Sequence, residues 1–361
     1  MSRPAGASLS DSPDVSFASD NTAGVSPEVL EALTAVNAGH QAPYGDDPVT
    51  ARLSAWAQEE FGPQAEIFPV FNGTGANVLA LQAMLPRWGA AVCAQTAHVA
   101  TDEGGAPERL GGVKLLPRPS PEGKLTPEDL DGEAGALKFV HAAQPLAVTL
   151  TQSTELGTLY TPGEIAAVAE RAHSLGMGVH MDGARIANAA AALGVSLREL
   201  TAEAGVDVLS LGATKNGALA AEAVVVLDPE QVHGLEYLRK SSMHLASKQR
   251  FLSAQLLTLF DGDLWHRNAA HANAQAGRLA QQLEGIEGVS LSRPTRVNVL
   301  FPEMPAPVAR AIQQLYLLHT WETTPRGNPV LRLMCSWQTT QEEADKLVAH
   351  VRAAADDARR A

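Results

Sequence analysis

Apolar positions along the chain fall into two patterns. In one they recur at helical spacing: Ile165, Val168, Ala169, Ala172 and Leu175 share one face of a segment that opens at Thr161-Pro162. Thr161 is followed three residues on by Glu164, which forms a capping box, and Gly176 stops the helix. Asp47-Pro48 opens another helix the same way, with a capping side chain ahead of a proline at the first helical position. In the other pattern the apolar residues are continuous. Leu137–Val140, Ala147–Leu150, Met177–Met181, Val206–Leu211 and Ala223–Leu227 are too apolar for strands with one wet face. Such runs between helices predict a parallel sheet covered on both sides.

The pattern changes after about residue 235. A long helix is expected around Leu245–Phe260, with Phe251, Leu252, Leu256 and Leu259 inward. Further on, strand-like Val297–Phe301 and Val330–Met334 flank a helix near Pro307–Leu318, and another helix follows Thr340. The fold class is therefore α/β, with a smaller C-terminal α+β domain. The expected division is a frayed tail over 1–16, a large domain over 17–240 and a small domain over 241–361. A length of 361 residues agrees with two domains at roughly 150 residues each.

Charge narrows the partners. There are 27 Lys and Arg against 40 Asp and Glu, a net charge of −13. An acid excess of this size argues against nucleic acid and anionic membranes, which want a basic face. No apolar run reaches the ~18 residues of a membrane span. Cys93 and Cys335 lie far apart in apolar surroundings, as reduced thiols do in a cytoplasmic protein. The first sixteen residues lack the apolar stretch of a signal peptide.

Four stretches carry candidate chemistry. In His180-Met181-Asp182-Gly183-Ala184-Arg185 an acid ends a buried strand, where open α/β sheets place ligands. Taken alone, Asp182 would more often cap the next helix or pair with Arg185. Lys215 follows the Val206–Leu211 strand inside a loop of small residues, Gly212-Ala213-Thr214-Lys215-Asn216-Gly217. Loop lysines are usually solvated, but one held at a sheet edge loses hydration and becomes a better nucleophile. Asn72-Gly73-Thr74-Gly75, ahead of helical Val78–Met84, offers backbone N–H groups and a hydroxyl to a phosphate. His98 is followed by Glu103-Gly104-Gly105-Ala106, and the glycines allow close approach of a loop to a ligand.

Taken together, in this order, these stretches decide the matter. Over roughly residues 15–350 the chain resembles the low-specificity L-threonine aldolases, within the threonine aldolase and aromatic-amino-acid β-eliminating lyase family. The motifs that carry the resemblance are Phe17-Ala18-Ser19-Asp20, Asn72 to Asn77, His98 with Glu103 to Ala106, His180 to Arg185, Thr214-Lys215-Asn216-Gly217 and Leu331-Arg332-Leu333. The Asp182–Arg185 motif with Lys215 is the specific part.

The resemblance implies the aspartate-aminotransferase fold, with a mostly parallel seven-stranded sheet and pyridoxal 5′-phosphate as cofactor. Lys215 would hold the cofactor's aldehyde, Asp182 would pair with its ring nitrogen, and His98 would stack on the ring. Gly73, Thr74 and Gly75 would bind the phosphate. Arg185 would lie near the ring oxygen and the substrate carboxylate, with Ser19 and Arg332 completing the carboxylate site. Arg250 would reach a neighbouring subunit's phosphate, and Tyr44 would contact substrate. Active sites would lie at a dimer interface within a homotetramer. The reaction implied is cleavage of β-hydroxy-α-amino acids, such as threonine, to glycine and an aldehyde. The alternatives are a β-eliminating amino-acid lyase and an aldolase for bulky substrates such as phenylserine.

The chain departs from the family pattern at Gln152-Ser153-Thr154-Glu155, where many relatives carry Glu-Asn-Thr-His. Glu155 stands where that histidine would meet the β-hydroxyl, or Thr154 or Gln152 serves there instead, and His98, Glu155 or a water is left as the base. The remaining histidines, including His40, His233, His244, His266 and His271, show no metal-ligand spacing, and no metal is expected.

Overall fold

Caps and turns set the element boundaries of this computed structural model, which describes residues 13–360. Most of the tail expected over 1–16 lies outside the described residues. The helix Pro162–Ser174 begins at the Thr161–Glu164 capping box, and Pro48–Phe61 begins at Asp47, whose side chain accepts from Thr50 N–H. Two compact units result, one spanning Val25–Arg267, the other formed by Asn268 onward with the described residues up to Gly24.

The first unit holds a seven-stranded sheet. Its strands are β1 (Glu66–Val70), β2 (Gly89–Ala94), β3 (Lys114–Arg118), β4 (Gln144–Thr151), β5 (Gly178–Gly183), β6 (Val208–Leu211) and β7 (Glu222–Val226), in the order β1-β7-β6-β5-β4-β2-β3. All neighbours from β6 to β3 run parallel, and β7 is antiparallel to both β6 and β1. Every residue of β2, β5, β6 and β7 is buried, which explains their uninterrupted apolar sequences. Helix Gly73–Met84 packs on β6 and β7, and Pro162–Ser174 packs on β5.

Three expectations change. Leu137–Val140 is a turn, not a strand, and Phe139 and Val140 are exposed. The Gln144 amide accounts for this: it accepts from Lys138 N–H and donates to the carbonyls of Ala136, Phe139 and Ala142, so it holds the turn shut just before β4. The helix expected from Leu245 begins at Arg250, and it packs in this first unit against Pro27–Val36 and Pro48–Phe61, where Trp56 stacks on Phe260. The helix expected to run to Leu318 ends at Leu315, because Tyr316 leaves it to bridge Asp14.

The second unit is an antiparallel sheet with helices. Strands β8 (Ser290–Leu291), β10 (Pro302–Glu303), β11 (His319–Thr323) and β12 (Pro329–Met334) pair in the order β11-β12-β10-β8, and β9 (Val299–Leu300) also pairs with β12. Helices Ala306–Leu315 and Gln341–Arg360 pack on one another. Phe17 and Tyr316 close this unit's core edge to face.

Candidate active site

The carboxyl ends of β2, β4, β5 and β6 lie along one rim of the large sheet, and the charged residues gather there. Asp182, the second-last residue of β5, is nearly inaccessible to solvent. Its Oδ1 accepts from Ala184 N–H at 3.0 Å and its Oδ2 from the Asn77 side chain at 2.9 Å. The loop after β6 lies directly against the loop after β5: Gly212 N–H donates to Gly183 O, and a Cβ on Gly212 would stand 2.6 Å from Ala184 backbone atoms. Only glycine permits that approach. The short turn Thr214–Asn216 then carries Lys215, and Asn216 is tied by its amide to Trp265 O.

Across from these loops, His98 opens a short helical turn after β2. Its Nδ1 is 3.0 Å from Oε1 of the fully shielded Glu103, and its ring is partly open to solvent. That hydrogen bond raises the proton affinity of His98. The Asp182 charge pushes the same way, while the Lys215 charge opposes it. Burial lifts the Glu103 carboxyl, and the bonds from His98 and Asn77 pull it back. Asn77 is the hinge of the network, since its Nδ2 lies 2.8 Å from Glu103 and 2.9 Å from Asp182.

Glu155 sits behind His98. Its Oε1 accepts the His98 backbone N–H at 2.7 Å, and its Oε2 is buried with no hydrogen-bond partner among the described residues. Burial, with Asp182 nearby, pushes its carboxyl up to about 7. Beneath Asp182, His180 bridges the hydroxyls of Thr149 (2.7 Å) and Ser210 (2.9 Å), and complete burial pushes it down to about 4.

Gly73, Thr74 and Gly75 form the first turn of their helix, and Asn72 Oδ1 caps Gly75 N–H at 2.8 Å. The N–H groups of Gly73 and Thr74 have no intrahelical acceptor by helix geometry, and the space where a Cβ on Gly73 would sit is open. On the other side, the His244 ring fills the place of a side chain on Gly75: a Cβ there would lie 2.1 Å from it.

The remaining predicted residues are more dispersed. Arg185 directly precedes helix Ile186–Leu193, three residues beyond Asp182. Tyr44 has a left-handed backbone, and Lys240 lies over its ring at 4.6 Å. Arg250 donates to Val36 O at 2.9 Å. In the second unit, Arg332 on β12 reaches Ala18 O at 3.5 Å, beside Ser19, whose hydroxyl accepts from Asn21 N–H.

Three contributors escaped sequence reasoning. In the sequence Asn77 only closes the Asn72 to Asn77 motif, although an amide on an otherwise apolar helix face is a usable signal. Glu222, an acid opening an apolar strand, was another. His244 had no such mark, since only the fold brings it to Gly75.

Residues 16–304 match the beta-eliminating lyase family. The chain belongs to that family. It is 41% identical to the low specificity L-threonine aldolase of Pseudomonas aeruginosa over 93% of this chain and 96% of that one. The corresponding protein of Escherichia coli K12 is 25% identical over 94% and 98%. The solved threonine aldolase of Leishmania major superposes with a TM-score of 0.88 at 28% identity, covering 94% of this chain and 98% of that one. The family's fold, a mostly parallel seven-stranded sheet under helices, is the fold found here.

Proposed function

We propose that this protein is a pyridoxal-phosphate-dependent aldolase that cleaves L-threonine, L-allo-threonine and related β-hydroxy-α-amino acids to glycine and an aldehyde. The observation that carries this is one hydrogen-bonded chain, Asp182–Asn77–Glu103–His98, at the sheet rim where the Lys215 loop packs against the loop after β5. The likeness to L-threonine aldolases supports the choice of substrate.

The residues fit the cofactor. Gly73 and Thr74 offer two N–H groups beside open space for its phosphate. Asp182 offers a shielded carboxylate for a ring nitrogen, and His98 offers a flat ring. When bound, the cofactor supplies an electron-poor ring that takes up the electron pair of the broken Cα–Cβ bond. Lys215 supplies the amine that links to its aldehyde. Asp182 keeps a proton on the ring nitrogen and so keeps the ring electron-poor, a fixed charge placed before reaction. Glu103 holds the Nδ1–H of His98, which leaves Nε2 as the acceptor for the β-hydroxyl proton. Glu155 gives one oxygen to the His98 backbone N–H, and we assign it as a support of the base. By the family resemblance, Arg185, Ser19 and Arg332 are the candidates for the substrate carboxylate, Tyr44 for a substrate contact and Arg250 for a neighbouring subunit's phosphate. The same proposal includes a homotetramer in the cytoplasm. No helix among the described residues is long and apolar enough to cross a membrane.

The test is direct. With cofactor added, the wild-type protein should show a visible absorption band that borohydride bleaches, and threonine should yield glycine and acetaldehyde. Lys215→Ala should lose the band. A reducible adduct in that variant would overturn the lysine assignment, and release of pyruvate instead of glycine would move the chemistry to β-elimination. Sedimentation analysis reads the tetramer.

A further inference from the structure

We infer that Glu222 is a positioning residue for the Lys215 amine, holding the lysine's loop with both carboxylate oxygens and placing a negative charge behind it. Glu222 is the first residue of β7 and is 7% exposed. Its Oε2 accepts Ala213 N–H at 3.0 Å and its Oε1 accepts Thr214 N–H at 3.2 Å, the two amides immediately ahead of Lys215. The far side of the same turn is fixed by Ala218 N–H to Ala213 O at 3.2 Å and by Asn216 to Trp265. The backbone that carries the lysine is thus gripped from two directions.

A carboxylate is a costly choice for this place. Two loop N–H groups could be met by neutral carbonyl or hydroxyl oxygens, whereas a buried charge loses its hydration. A charge is useful where a cation faces it. Burial pushes the Glu222 carboxyl up, and the Thr214 bond, the Lys215 charge and the two loop N–H bonds draw it back toward the ionised form. Lys215 is a charged group whose field Glu222 feels. The lysine-bearing loop therefore has one carboxylate at its back, while Asp182, near the end of β5, would meet the ring nitrogen of the proposed cofactor. Glu222 raises the proton affinity of the lysine nitrogen, free or linked, and fixes where that nitrogen can reach.

The inference takes Lys215 as the cofactor-bearing residue, as proposed above, and its test separates the two. Glu222→Gln keeps the shape and one acceptor and removes the charge. In the holoenzyme, the pH midpoint of the visible band should fall by about one unit relative to wild type. In full-length protein stripped of cofactor, the half-maximal pH for acetic anhydride labelling of Lys215, read by peptide mass spectrometry, should fall in parallel. Glu222→Asp keeps the charge but withdraws it from Ala213 and Thr214. Its midpoint should stay within a few tenths of wild type, while hydroxylamine strips its cofactor at least tenfold faster. Wild-type midpoint and labelling in the Gln variant, or wild-type stripping in the Asp variant, would overturn the inference, and whichever variant folds decides it. A wild-type protein with no visible band would instead sink the proposed function.

Discussion

The Nδ1 of His98 stands 3.0 Å from Oε1 of Glu103, a carboxylate wholly shielded from solvent. The bond fixes which face of the imidazole can take a proton and holds its proton affinity above the ordinary value. Glu103→Gln removes the charge, so His98 should release its proton at lower pH. The acid limb of kcat/KM against pH should move down by about one unit, and kcat should fall 10- to 100-fold as the base weakens. An unmoved limb would show that His98 is not the group titrating.

Two buried groups near this cluster give stability opposite slopes with pH. Glu155 is raised from 4.5 to about 7, so its contribution is complete below 4.5 and is lost as pH rises through 7. His180 is lowered from 6.5 to about 4, so its contribution is complete above 6.5 and is lost as pH falls through 4. Each amounts to about 3 kcal/mol at most, so between pH 4.5 and 6.5 they largely cancel. Glu155→Gln should abolish only the falling slope. Its melting temperature should exceed the wild type's by several degrees at pH 8 and match it at pH 4.5, while turnover drops less than about tenfold. A total loss of turnover would make Glu155 the base.

The His244 ring occupies the place of a side chain on Gly75. Gly75→Ala must push it away, at about 1–3 kcal/mol, and cofactor affinity should fall about 5- to 100-fold by equilibrium dialysis. Gly75→Ala with His244→Ala should recover most of that loss. No recovery would mean that the methyl group itself obstructs the phosphate.

Arg332→Lys tests the carboxylate assignment. Lysine keeps the charge but loses the planar fork. KM for threonine should rise at least tenfold, about 1.4 kcal/mol, with the visible band unchanged. An unchanged KM would remove Arg332 from substrate binding.

Much of the fold could be read from local chemistry. Thr161, Glu164 and Asp47 cap helices where the spacing predicted, and the runs within β4 to β7 are apolar because the sheet buries both faces. Leu137–Val140 misled because apolarity alone cannot distinguish a strand from a turn held by one distant amide, Gln144. In the site, Asp182 and Lys215 stood out because one ends a buried strand and the other follows one. The partners of His98 were harder to see: Glu103 lies close in sequence, but Asn77 arrives from the Gly73–Met84 helix and Glu155 from the turn after β4. Glu222 and His244 become meaningful only through contacts that no spacing encodes.

The reversed direction of β7 has a consequence for how robust the site is. A strand running with its neighbours would bring its last residue to this rim, but β7 brings its first. Amine and flanking carboxylate therefore enter on one hairpin, joined by a short connection. Their separation is set within a single cassette of chain, so repacking of distant helices or drift in the outer strands leaves it untouched.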